Sequence, residues 1–159
     1  MGLPKILCAA PVDFVPGLRA YMAGLVSVTH AYGSSRKEII ELLQANAFDA
    51  WLVSPCPEYL VDQDLLDLCP TIKIIATPST GTNHLDINAI KKRNIELYSL
   101  LGTEAVQGIT ASSEYAFTLL LSVVRRVFDA VEVVAKGGWR DREDQLRSRE
   151  LQELTLGLV

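Results

Sequence analysis

Along the first hundred residues, short apolar runs alternate with amphipathic segments, and the alternation returns roughly every 20 to 25 residues. The run KILCAA (5–10) is almost continuously apolar, as a strand covered on both faces must be. GLRAYMAG (17–24) follows as a short helix. The β-branched stretch VSVTHAY (26–32) predicts a second strand. SSRKEIIELLQANA (34–47) predicts a helix capped by its serines, with Ile39, Ile40, Leu42 and Leu43 forming its apolar face. AWLVS (50–54), IKIIATP (72–78) and IELYSL (95–100) read as three more strands. Between them lie VDQDLLDLCP (61–70), with Asp near its start and Pro70 as its stop, and LDINAIKKRN (85–94), with basic residues in its last turn.

Five strands alternating with helices imply an α/β fold, a parallel sheet with helices on both faces. Such sheets place ligand sites at the carboxyl ends of their strands, and here those ends carry the loops SPCP, PSTGT and LLGT.

After residue 100 the rhythm breaks. Residues 109–139 read as one long helix, opened by Thr110 or Ser112, with Glu114 in its first turn, and closed by Gly137 and Gly138. Its apolar residues, from Tyr115 and Phe117 through Leu121 to Phe128 and Val134, cover far more than one stripe. A helix of that kind needs cover on several sides, from a second domain or a second subunit. RDREDQLRSRE (140–150) is charged at nearly every position and predicts a solvated arm, after which LQELTLGLV begins another apolar strand, expected over 154–159.

Composition narrows the function. The chain has 159 residues, 49% hydrophobic and 21% charged, enough for one domain and part of another. A net charge of −4 with scattered Lys and Arg argues against nucleic acid as a partner. No basic leader and cleavage site precede the first strand, and the most apolar window, YAFTLLLSVV, is too short to cross a bilayer. These features predict a cytoplasmic protein without a membrane partner. Cys8, Cys56 and Cys69 are widely spaced and read as reduced thiols, while His30 and His84 stand apart from any ligand pattern, so no metal site is expected.

The stretch most suggestive of chemistry is ATPSTGTNHLD (76–86). Ser79, Thr80, Gly81 and Thr82 follow a buried strand and precede a helix, so backbone N–H groups can approach an anion there, with the helix N-terminus adding a favourable field. The same composition also suits a purely structural turn. His84 could serve as acid or base, or simply pack at the start of the helix. Arg125 and Arg126, inside an apolar helix, must reach water or a charge partner. No Ser/His/Asp spacing, phosphate loop or Gly-x-Gly-x-x-Gly occurs, so no catalytic residue is assigned.

Taken together, the residues resemble the D-isomer-specific 2-hydroxyacid dehydrogenases, which include glyoxylate and hydroxypyruvate reductases and phosphoglycerate dehydrogenase. IKIIATPSTGTNHLDINAIKKRNIEL is similar to the family's strand, small-x-Gly loop and helix, with Asp86 matching an early Asp. GITASSEYAFTLLLSVVRR is similar to the family's long helix, GGW to the Gly-x-Trp after it, and RELQELTLGLV to the lead into the dinucleotide fingerprint. The chain departs from the family pattern at Asn83-His84, Gly108, Tyr115 and Glu153-Leu154.

The resemblance implies a flavodoxin-like substrate domain over 1–101, and over 102–159 the start of an NAD(P)-binding domain: long helix 110–136, arm 140–150 and first Rossmann strand 154–159. It implies that backbone amides of Ser79, Thr80 and Gly81 receive the carboxylate of a small 2-keto or 2-hydroxy acid, and that helix 110–136 builds a homodimer. The family's catalytic Arg, Glu and His follow the fingerprint and match no position here. The chain therefore reads as the N-terminal part of a truncated, cleaved or longer dehydrogenase using NAD or NADP. By itself it is expected to bind no cofactor tightly and to be inactive. The alternative is a stand-alone flavodoxin-like module that binds small anions or dimerises without catalysis.

Overall fold

The computed structural model describes residues 2–157. The chain divides into two compact units, one ending at Gln107 and one beginning at Gly108. The first unit thus extends past residue 101, where the sequence rhythm breaks, and takes in one more short helix.

The first unit is built on five short strands: β1 Lys5–Cys8, β2 Ser27–His30, β3 Ala50–Leu52, β4 Ile74–Ala76 and β5 Glu96–Tyr98. All pair in parallel, in the order β2-β1-β3-β4-β5. This is the flavodoxin-like order, in which the chain starts in the sheet's interior and reverses direction once. The linking helices are α1 Leu18–Ala23, α2 Arg36–Ala45, α3 Gln63–Leu68 and α4 Ile87–Lys92, with α5 Glu104–Gln107 after β5.

Right-handed crossovers send α1 to one face and α2, α3 and α4 to the other, because the chain moves one way from β1 to β2 and the opposite way afterwards. The packing follows. Leu18 and Met22 of α1 cover Cys8, Val28 and Leu52. Ile39, Leu43, Leu65, Leu66 and Ile90 share the other layer with Leu7, Trp51, Val53 and Ile75. Strand residues of opposite parity therefore meet different helices, which is why β1 reads as continuously apolar.

The helix starts are local. Ser35 and Glu38 form a capping box at α2, Asp62 caps α3 through Leu65 N–H at 3.1 Å, and Asp86 caps α4 through Asn88 and Ala89 N–H, both at 3.0 Å. Arg36 bridges to Asp62 at 2.8 Å and so ties the starts of α2 and α3 together.

The second unit differs from expectation. The single helix predicted over 110–136 is two helices, α6 Ala111–Val124 and α7 Val127–Ala135. Arg126, at φ 53, adopts the left-handed conformation and breaks the helix. That conformation costs a non-glycine residue about 1 kcal/mol or more. The break offsets it by letting the Arg126 guanidinium reach the Asp129 carboxylate at 2.7 Å and the Gln145 carbonyl, instead of being held along an apolar helix. The closing glycines behave as predicted: Gly137 is left-handed at φ 79, and Gly137 and Gly138 N–H bond back to Val134 and Val133 at 2.9 Å.

The arm expected over 140–150 is partly ordered as a 3-10 turn, Arg140–Leu146. The strand expected over 154–159 is absent from residues 154–157, which follow a 3-10 turn, Leu151–Glu153; residues 158 and 159 lie outside the described ones. A strand needs a ladder partner, and among the described residues this unit holds none. No described helix is long and apolar enough to cross a membrane.

Candidate functional site

The loop from Thr77 to Asp86 leaves the carboxyl end of β4 and leads into α4. Several of its main-chain carbonyls are tied down. Leu100 N–H donates to Ser79 O at 2.9 Å, Leu85 N–H to Thr82 O at 2.9 Å, and Val61 N–H to His84 O at 2.9 Å. The Ser79 hydroxyl donates to Gly81 O at 2.7 Å. The amides of Ser79, Thr80, Gly81, Thr82, Asn83 and His84, by contrast, have no acceptor among the described residues.

A peptide group is planar and trans, so fixing a carbonyl turns the next N–H the opposite way. Pinning the carbonyls of Ser79, Gly81 and Thr82 therefore turns the amides of Thr80, Thr82 and Asn83 away from their anchors. Thr80, Gly81 and Asn83 are exposed, so water or a solute can reach these donors. A row of unsatisfied donors with its acceptors withdrawn is the arrangement a carboxylate or other small anion requires.

Ser79, Thr80 and Gly81 are thus brought together on one loop. The helix field expected behind them is another matter. Asp86 places its carboxylate on the first amides of α4, so that terminus is already occupied and the loop amides alone face an anion. Gly81 does not use a left-handed conformation. A Cβ there would meet Asn83 Oδ1 at 3.4 Å, an ordinary van der Waals contact.

His84 is buried at 8% exposure and its Nε2 lies 3.1 Å from Thr77 Oγ1. Burial pushes its pKa below the ordinary value and keeps the ring neutral. Thr77, 3% exposed, stands 3.0 Å from Ser79 Oγ and links histidine to loop. Sequence reasoning missed Thr77; its signal was a hydroxyl residue at the end of a buried strand run.

The SPCP loop lines a different concavity of about 400 Å³ at the carboxyl ends of β1, β2 and β3, with Ala9, Tyr32, Ser35, Cys56 and Tyr59 on its walls. Burial pushes the Tyr59 phenol up to about 12. The α2 N-terminus beside it is taken by Glu38, held below its ordinary range by the Ser35 N–H and then its hydroxyl. That helix terminus is therefore already occupied. Cys56 is exposed, Cys8 and Cys69 are buried, and among the described residues no group of His, Cys, Asp and Glu is placed to hold a metal.

Residues 13–108 match the family described as D-isomer specific 2-hydroxyacid dehydrogenase, catalytic domain. The chain belongs to this family. Among the relatives of this dehydrogenase-family chain, the glyoxylate reductase of Thermofilum pendens is 33% identical over 103 residues, covering 62% of this chain and 29% of that protein. The mouse glyoxylate reductase/hydroxypyruvate reductase is 39% identical over 80 residues, covering 50% and 23%. The chain thus spans well under half the length of these curated relatives.

The fold of the family is also met in solved structures. The Aquifex aeolicus D-lactate dehydrogenase complexed with NAD and lactic acid superposes with a TM-score of 0.70 at 22% identity, covering 94% of this chain and 42% of that one. The NAD-dependent formate dehydrogenase of Staphylococcus aureus gives 0.69 at 19%, covering 92% and 46%.

Proposed function

We propose that the first unit is the substrate domain of an NAD(P)-dependent dehydrogenase that reversibly reduces a small 2-keto acid, of the glyoxylate or hydroxypyruvate kind, to the D-2-hydroxy acid. The observation that carries this reading is the donor row of residues 79–84: the carbonyls of Ser79, Gly81, Thr82 and His84 are bonded, while the six amides have no acceptor among the described residues. Ser79, Thr80 and Gly81 receive the carboxylate, and orienting it fixes where the 2-oxo carbon lies. The relatives named glyoxylate reductase support the substrate class.

The chain's own residues do not fit a dinucleotide. Pyrophosphate needs a glycine turn opening a helix after a strand. The only adjacent glycines, Gly137 and Gly138, close a helix, and a Cβ on Gly138 would lie 2.7 Å from Val133 Cγ1. What these residues contribute is binding and orientation of the acid; His84 is buried with its Nε2 on Thr77 and is assigned no proton-transfer role. By itself the chain is expected to be inactive with NADH or NADPH. The second unit supplies the partner surface: Tyr115, Phe117, Phe128 and Val131 are each at least 60% exposed, and a second copy packed on α6 and α7 would cover them.

The loop reading is tested by titrating the isotopically labelled chain with oxamate, a planar keto-acid analogue, and following amide shifts. Saturable shifts centred on residues 79–84 are expected. Shifts centred on the SPCP loop instead would sink the assignment.

A further inference from the structure

The amide row depends on the Gly81 peptide keeping its orientation. The peptide between Gly81 and Thr82 turns about Gly81 ψ and Thr82 φ, and with no side chain on Gly81 the first of these is softer than at other residues. A flip would replace the Thr82 N–H by the Gly81 carbonyl and turn a donor row into a repulsive one. The β-branched Thr82 resists the turned φ that a full flip needs, and the bond from Ser79 Oγ to Gly81 O at 2.7 Å adds to it and fixes the carbonyl's direction.

That bond is the end of a longer chain, and counting hydrogens fixes its direction. The single Ser79 hydroxyl hydrogen goes to Gly81 O, so Ser79 Oγ must accept in its 3.0 Å contact with Thr77 Oγ1. Thr77 has therefore spent its one hydrogen on Ser79. It must accept in its 3.1 Å contact with His84 Nε2, and that nitrogen must carry a hydrogen. Only with the neutral ring protonated at Nε2, and bare at Nδ1, does every contact carry one hydrogen.

We propose that His84 is a positioning residue for the carboxylate loop: as the Nε2–H tautomer it heads a one-way relay, His84 to Thr77 to Ser79 to Gly81, that locks the Gly81 peptide with its amide side open to substrate. This rests on the carboxylate reading of residues 79–84 given above. His84 touches no substrate and moves no proton in this role. Its buried place on the first unit's core layer supplies the rigidity, because Val61 N–H holds its carbonyl at 2.9 Å and Leu85 beside it is core.

The test uses the 159-residue chain with labelled histidine. Ring nitrogen shifts should report the Nε2–H tautomer for His84. Oxamate should bind about five- to tenfold more weakly to His84→Leu, the range expected for one lost orienting hydrogen bond, while amide shifts outside the loop stay put. His84→Gln, whose amide N–H can restore the donor, should recover most of the affinity. Should His84→Leu fail to fold, Thr77→Val cuts the same relay and keeps the ring.

A neutral ring protonated on Nδ1, or wild-type affinity in His84→Leu, overturns the positioning role alone. No oxamate response in the wild-type chain, with the tautomer as stated, overturns the carboxylate reading and removes the role with it.

Discussion

The two units use hydrophobic residues differently. In the first, strands and helices close around a shared interior, and the fully buried apolar residues run from Leu7 through Phe48, Trp51 and Ile75 to Ile90. In the second, no described residue is buried, although α6 and α7 are the most apolar helices of the chain; Leu120, Val124, Val133, Leu146 and Leu154 reach only partial burial. Apolar sequence in the first unit therefore encodes its own interior. In the second it encodes a surface, because two helices and two 3-10 turns cannot surround residues that point in every direction.

The sharpest way to break this comparison is to delete a phenylalanine from each unit. Phe48 is 1% exposed and fills the layer under α2 and α3. Phe48→Ala should cost about 3–5 kcal/mol, most of the stability of a typical small domain. Phe117 is 60% exposed, and Phe117→Ala should stay within about 0.5 kcal/mol in dilute monomer. Urea unfolding followed by far-UV circular dichroism checks both. A cost of several kcal/mol at Phe117 would show that the second unit has an interior after all.

A smaller effect sharpens what covers the second unit. If a second copy does so, Phe128→Glu places a charge in a desolvated contact and should weaken association by about 2 kcal/mol, or roughly thirtyfold. Sedimentation velocity across a concentration series reads this directly. Phe128 is 64% exposed, so the monomer's unfolding midpoint should not move. A wild-type chain that stays monomeric at every concentration would remove the dimer from the reading.

How far the sequence spoke differs between the units for the same reason. In the first, the five strands and the helices between them were legible because two-fold and 3.6-fold periodicities reported a real inside and outside, and Ser35, Asp62 and Asp86 stood at helix starts, while the four-residue α5 was too short to show a period. Boundaries shrank by a residue or more because strand ends leave the ladder before their apolar runs do. In the second, the break at Arg126 was hidden, since a left-handed arginine has no composition signal and is decided by where Asp129 and the Gln145 carbonyl lie.

The site shows the same division. Ser79, Thr80 and Gly81, the residues proposed to take the carboxylate, stand out in the sequence as small residues after a buried strand. The relay behind them could not, because Thr77 and His84 lie seven residues apart and meet only when the loop closes.

The same histidine gives the smallest predicted effect and one that belongs to the first unit alone, since both histidines of the chain lie there. Burial lowers the His84 pKa in the folded state below its ordinary 6.5. Above 6.5 both states are neutral at this residue and its contribution to stability is fully present. As the pH falls below 6.5, the unfolded chain takes up a proton that the folded one resists, so stability is lost on acidification, by at most about 1.4 kcal/mol per pH unit for one group. Carboxylates such as Glu38 titrate lower and act alike in wild type and variant. The difference in urea midpoint between the wild-type chain and His84→Gln, measured from pH 7 to pH 5, isolates the histidine. The wild-type curve should fall more steeply; parallel curves would mean that the buried ring is as easily protonated folded as unfolded, and that the core layer around Thr77 opens to water more than its 3% exposure implies.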